Sequence, residues 1–149
     1  MAIDSILVAV DWSDTMEGVV AAADRLGILH DARVHLVHVI PVNTDLVVAD
    51  QNMPNLLEPF PYEDEKEAEK ALLKVKQGMK HNPDRIVIHL VQGSPAQEVL
   101  RQQSALGSDV VILGSHGHGA MYNLLVGSAS EAILHRSPVP VMVIPAQGD

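Results

Sequence analysis

IVIHLVQGSPAQEVLRQQSALGSDVVIL, residues 86–113, holds two short apolar runs on either side of a helical pattern. The runs at 86–91 and 110–113 are rich in β-branched residues and nearly continuous, as in strands buried on both faces of a parallel sheet. Between them Ala96, Val99 and Leu100 recur at helical spacing. Ser94 and Gln97 stand at capping-box spacing, with Pro95 in the first helical position. Strand, helix and strand in this space predict a parallel β-α-β unit with a right-handed crossover.

The same reading extends in both directions. Residues 6–10 (ILVAV), 34–40 (VHLVHVI) and 139–144 (VPVMVI) are further apolar runs. Helical faces lie between the runs, at Val19, Ala22, Ala23 and Leu26, at Ala68, Ala71, Leu72, Val75 and Met79, and at Ala129, Ala132 and Ile133. Asp14 with Glu17 and Ser128 with Glu131 repeat the capping-box spacing. The alternation predicts a Rossmann-like doubly wound α/β fold, a five-stranded parallel sheet with four helices, as one domain over residues 1–149. Residues 41–62 break the pattern with Pro41, Pro54, Pro59 and Pro61; such a stretch suits either a lid over a ligand or a plain connector.

With 149 residues, 47% of them hydrophobic, the chain can bury a real core. Ten basic residues stand against nineteen acidic ones, a formal net charge of −9 without a dense cationic patch, which disfavours a nucleic-acid partner. Cysteine is absent, so disulfides, thiolate nucleophiles and zinc-thiolate sites are excluded together. No apolar stretch has the length of a membrane span, and the opening residues lack a signal-peptide layout; the expectation is a cytoplasmic protein without membrane insertion.

The stretch most informative about function is residues 113–136, LGSHGHGAMYNLLVGSASEAILHR. Gly114, Gly117 and Gly127, with Ser128 following, stand between a strand and a helix. Glycines let backbone N–H groups approach an anion, and a helix start adds free amides and its positive dipole end. A P-loop is excluded, because Ser128 and Ala129 follow Gly127 and no lysine occurs after Lys80. A dinucleotide fingerprint is excluded too, since residues 11–14 (DWSD) contain no glycine. Phosphate charge would then fall to backbone amides, the helix terminus and Mg²⁺.

The spacing of Gly114, Gly117, Gly127 and Ser128 resembles the nucleotide-binding signature of the universal stress protein family, and the resemblance extends over the chain apart from residues 41–62. Residues 6–11 (ILVAVD) look like the family's opening strand and its acidic residue, residues 38–40 (HVI) like the end of its second strand, and Gly93-Ser94-Pro95 like its turn into the third helix. The resemblance implies the strand order 3-2-1-4-5 and an ATP site. Asp11 and Ala9 would contact adenosine, and the Val39 backbone would touch adenine. Gly114, Gly117, Gly127 and Ser128 would hold phosphate, with Ser115, His116, Ala129 and Ser130 as neighbouring donors. It also implies a homodimer through residues 139–144, whose apolar edge would on physical grounds alone invite a second copy. Trp12 stands where the family usually has glycine. Its ring would narrow the adenine pocket, stack over the ligand, or turn outward to a partner.

His116 and His118 flank Gly117, but two ligands fall short of a metal site, and the expectation is none. His35, His38 and His89 lie within predicted strands and read as satisfied core or edge histidines. No cysteine and no G-x-S-x-G elbow supplies an activated nucleophile, so no catalytic residue is expected. The expected function is a small ATP-binding stress-response protein, a nucleotide-dependent homodimeric switch read by an unknown regulatory protein. The alternatives are a slow Mg-dependent ATPase and a nucleotide-independent interaction module.

Overall fold

A computed structural model describes residues 2–41, 64–115 and 128–146. The chain runs β1 (Ser5–Ala9), α1 (Met16–His30), β2 (Arg33–Pro41), α2 (Glu65–Gly78), a 3₁₀ turn (Pro83–Arg85), β3 (Ile86–Gly93), α3 (Pro95–Leu106), β4 (Val110–Gly114), α4 (Ser128–Arg136) and β5 (Val141–Ile144). The five strands form one sheet in the order β3-β2-β1-β4-β5, and every neighbouring pair is parallel.

The continuous apolar runs follow from burial on both faces. Alternate side chains of β1 point opposite ways: Ile6 and Val8 enter a cluster with Val19 and Ala23 of α1 and Leu72 of α2, while Leu7 enters one with Val99 of α3 and Ile133 of α4. Ile6, Leu7 and Val8 are all fully buried. Each such side chain stabilises the fold by about 1.5–3 kcal/mol relative to exposure.

Element ends depart from expectation where local chemistry intervenes. Helix α1 is entered through Thr15, with no capping bond from its side chain, so the box expected at Asp14 and Glu17 does not form. Residues 11–15 are drawn into a turn instead, with Ser13 folded back on Asp11. Ser94 does precede α3, with Pro95 in the first turn, but its side chain makes no cap bond. Helix α2 is capped by Asp64, whose Oδ1 accepts from the Lys66 N–H at 2.9 Å. Strand β5 is shorter than the run at 139–144, because Pro140 has no N–H for the ladder; its carbonyl still accepts from Val111 N at 3.0 Å.

The strand order creates one place where the chain reverses direction across the sheet. From β1 the connections move outward through β2 to β3; the chain then crosses back to lay β4 on the other side of β1. Helices α1 and α4, which follow β1 and β4, therefore pack on opposite faces, and the ends of β1 and β4 between them are where open α/β sheets usually hold a ligand in a crevice.

Candidate functional site

The register sets which residues meet at that crevice. Val8 pairs with Ile112 and Ala9 with Val37, so the end of β1 at Ala9 lies between β2 and the last residues of β4, and Val39 lies two residues further along β2. Asp11 lies two residues past the end of β1, Gly114 ends β4 and Ser115 follows it. Ser115 is tied to the next strand through its N–H, which donates to Ile144 O at 2.9 Å.

A chain of hydroxyls connects the two sides. Asp11 Oδ1 accepts from Ser13 N at 3.0 Å and from the Ser13 hydroxyl in a short contact. Because a carboxylate only accepts, the Ser13 hydroxyl proton is committed to Asp11. Thr15 Oγ1, 2.8 Å from Ser13 Oγ, is then the donor to it. Thr15 is buried, and its side chain lies against Gly114 so closely that a Cβ built on Gly114 would sit 2.1 Å from Thr15 Oγ1 and 2.8 Å from Thr15 Cβ. Gly114 thus has a packing reason to be glycine, apart from any ligand. On the far side, the buried Ser130 of α4 donates its hydroxyl to Gly114 O at 2.9 Å, bringing the first turn of α4 to the end of β4.

Of the residues singled out in the sequence, Ala9, Asp11, Val39, Gly114, Ser115 and Ser130 lie along this one end of the sheet, and Ser128 opens α4 with Ala129 next to it. His116, Gly117, His118, Gly127 and residues 42–62 lie outside the described residues. Ser13, Thr15 and His38 escaped the sequence reading as site residues. The first two carry a recognisable sign, hydroxyls spaced two apart after an aspartate that favours a local side-chain turn. His38 is buried, and its Nδ1 lies 2.7 Å from Val10 O. Since a carbonyl only accepts, Nδ1 carries the proton. Trp12 turns inward over this imidazole, with ring centroids 4.6 Å apart and planes tilted by 37°.

His35 and His89 form a separate pair, Nδ1 to Nε2 at 2.9 Å across β2 and β3. Burial, then His89 and Arg33, push the His35 imidazole down to about 4, and burial lowers His89 as well. Both are therefore neutral near pH 7, which suits a satisfied pair toward the sheet margin. Among the described residues no group of three or more potential metal-binding side chains occurs, and no helix is long and apolar enough to cross a membrane.

The model of the universal stress protein family matches residues 2–145. The chain belongs to the universal stress protein family. Among relatives of this universal stress protein is the Thermus aquaticus "universal stress protein in QAH/OAS sulfhydrylase 3'region", 31% identical over 146 residues, covering 94% of this chain and 97% of the relative. Among solved structures, MJ0577 of Methanocaldococcus jannaschii superimposes with a TM-score of 0.74 at 25% identity over the whole of both chains. Two more distant structures share the fold. A universal stress protein in complex with cAMP has a TM-score of 0.65 at 16% identity, covering 99% of this chain and 100% of that one. The Archaeoglobus fulgidus protein in complex with dAMP has a TM-score of 0.61 at 19% identity, covering 97% and 99%.

Proposed function

We propose that this universal stress protein binds an adenine nucleotide in the crevice between the ends of β1 and β4, with ATP and Mg²⁺ the expected form, and acts in the cytoplasm as a nucleotide-dependent homodimeric switch rather than as an enzyme. The carrying observation is the convergence of Asp11, Gly114, Ser115 and the start of α4 at the point where the chain reverses across the sheet. The donor set suits the ligand. Asp11 spends Oδ1 on Ser13, and a carboxylate has further acceptor capacity for ribose hydroxyls. The amides at the start of a helix such as α4 suit phosphate oxygens. With no lysine after Lys80 to neutralise a triphosphate, Mg²⁺ is the fitting counter-charge. The cAMP and dAMP complexes of fold relatives support the choice of an adenine nucleotide.

The dimer rests on β5, an outer strand of the sheet whose Met142 is exposed. Partner proteins would read the nucleotide-dependent state of that dimer.

Liquid chromatography and mass spectrometry of the denatured, freshly purified protein test the reading directly. Released adenine nucleotide, together with heat of binding on titration with ATP and Mg²⁺, is the expected result; absence of both rejects it. Gly127→Val is expected to abolish binding in a folded protein, and unchanged affinity would reject the assignment of the glycine loop to phosphate.

A further inference from the structure

We infer that His38 and Trp12 form a clasp that positions Asp11 for the nucleotide, an inference that rests on the adenine-nucleotide reading above. Asp11 lies past the last β1–β4 pair, Val8 with Ile112, so β4 gives it no main-chain support. Both of its sequence neighbours are instead held by β2. Val10 donates its N–H to Val37 O at 2.8 Å and accepts from His38 Nδ1 at 2.7 Å. Trp12, on the other side of Asp11, lies on the ring of the same histidine. One imidazole thus holds the peptide before Asp11 through its carbonyl, and the side chain of the residue after it, relative to the strand that carries Val39.

Packing alone does not call for an imidazole there. His38 is 4% exposed and points to the face where Val34, Leu36 and Val10 are buried, a setting in which leucine would fill the volume. The polar ring is distinguished by its N–H to Val10 O, an acceptor that leucine would leave unmet. The two restraints on Asp11 are independent. Ser13 orients the carboxylate from the α1 side, and the clasp places its backbone from the β2 side. His38 and Trp12 are therefore positioning residues, acting through Asp11.

The test is calorimetric titration of the full chain with ATP and Mg²⁺ in wild type, His38→Leu, His38→Asn, Asp11→Ala and the double variant Asp11→Ala with His38→Leu, each first checked for folding by circular dichroism. Loss of the clasp in His38→Leu is expected to weaken ATP binding about tenfold, the equivalent of one buried hydrogen bond. Asn places an amide N–H where the imidazole Nδ1–H stands, so His38→Asn is expected to stay within about threefold of wild type. In the double variant the His38 change should add nothing to the loss from Asp11→Ala, because its effect passes through that carboxylate. Full additivity, or ATP affinity in His38→Leu equal to wild type, would overturn the clasp. Should His38→Leu not fold, the comparison moves to His38→Gln, whose longer amide misses Val10 O; equal affinity of the Asn and Gln variants overturns the proposal. Trp12 is the chain's only tryptophan, so its emission must shift as ATP saturates the site, and an unmoved spectrum at saturation removes Trp12 from the clasp. A wild type that gives no heat with ATP defeats the nucleotide reading itself, whereas failure of the clasp leaves wild-type binding intact.

Discussion

Gly114→Ala is expected to destabilise the protein even with no nucleotide present. The new Cβ would stand 2.1 Å from Thr15 Oγ1 and 2.8 Å from Thr15 Cβ, both inside the 3.0 Å limit of tolerable Cβ contacts. Neither neighbour yields easily. Thr15 is 2% exposed and opens α1, and Gly114 is held by the β4–β5 ladder and by Ser130. Overpacking of a well-filled site costs about 1–3 kcal/mol, and two contacts this short place Gly114→Ala near 3 kcal/mol. For a domain of this size that lowers Tm by roughly 10 °C. The measurement is urea unfolding of nucleotide-free protein followed by circular dichroism, in a double-mutant cycle with Thr15→Ala. Removing Oγ1 relieves the worse contact and leaves the one to Cβ, so the double variant should recover part of the loss, with a coupling of about 1 kcal/mol or more. A Gly114→Ala cost below about 0.5 kcal/mol, or strict additivity with Thr15→Ala, would refute the packing account.

Acid should weaken the fold through His35. Its folded-state pKa of about 4 lies below the unfolded value of 6.5, so the stability it permits is complete above pH 6.5 and falls as pH drops through 6.5 toward 4. Discounted for solvent screening beside the partly exposed His89, the loss is roughly 1–2 kcal/mol; subtracting urea midpoints of His35→Leu from those of wild type between pH 7.5 and 4 isolates it, and a flat difference contradicts the assignment. Leu36→Ala, at a fully buried core position, should cost about 2–5 kcal/mol by the same urea assay. Met142→Lys places a charge on the outer strand β5 and should shift the proposed dimer toward monomer in sedimentation velocity; a dimer seen equally in wild type and variant would refute the β5 interface.

The strands were legible because burial on both faces leaves unbroken apolar runs, such as Val110 to Leu113, that no helix face or exposed loop would carry. The order of those strands followed only from the family resemblance, since apolar runs carry no information on which strand lies beside which. At the site, glycine residues were visible but their reasons were not. Gly114 answers to Thr15, a residue about two-thirds of the chain away, and only folding brings the two together. The same holds for Trp12. Of its three open orientations the outward one is removed when β2 places His38 against its ring. Capping was read too simply: Asp14 has the right spacing for a box with Glu17, but the turn from Asp11 through Ser13 moves the helix entry to Thr15.

The central place of β1 bears on how the chain is made. β1 and β2 emerge early and can pair, but the other edge of β1 waits for β4, about 70 residues beyond the end of β2. At about 5–20 residues per second that interval is roughly 4–15 s. During it the main-chain groups of Leu7, which face that side, have no β4 partner, and side chains that end fully buried await α3 and α4. A nascent chain with such an apolar, half-paired edge invites association with its neighbours. Asp109 closes the interval: as β4 arrives, its carboxylate takes the N–H groups of Asp4 and Ser5 at 2.9 and 3.0 Å and stitches the first strand to the fourth.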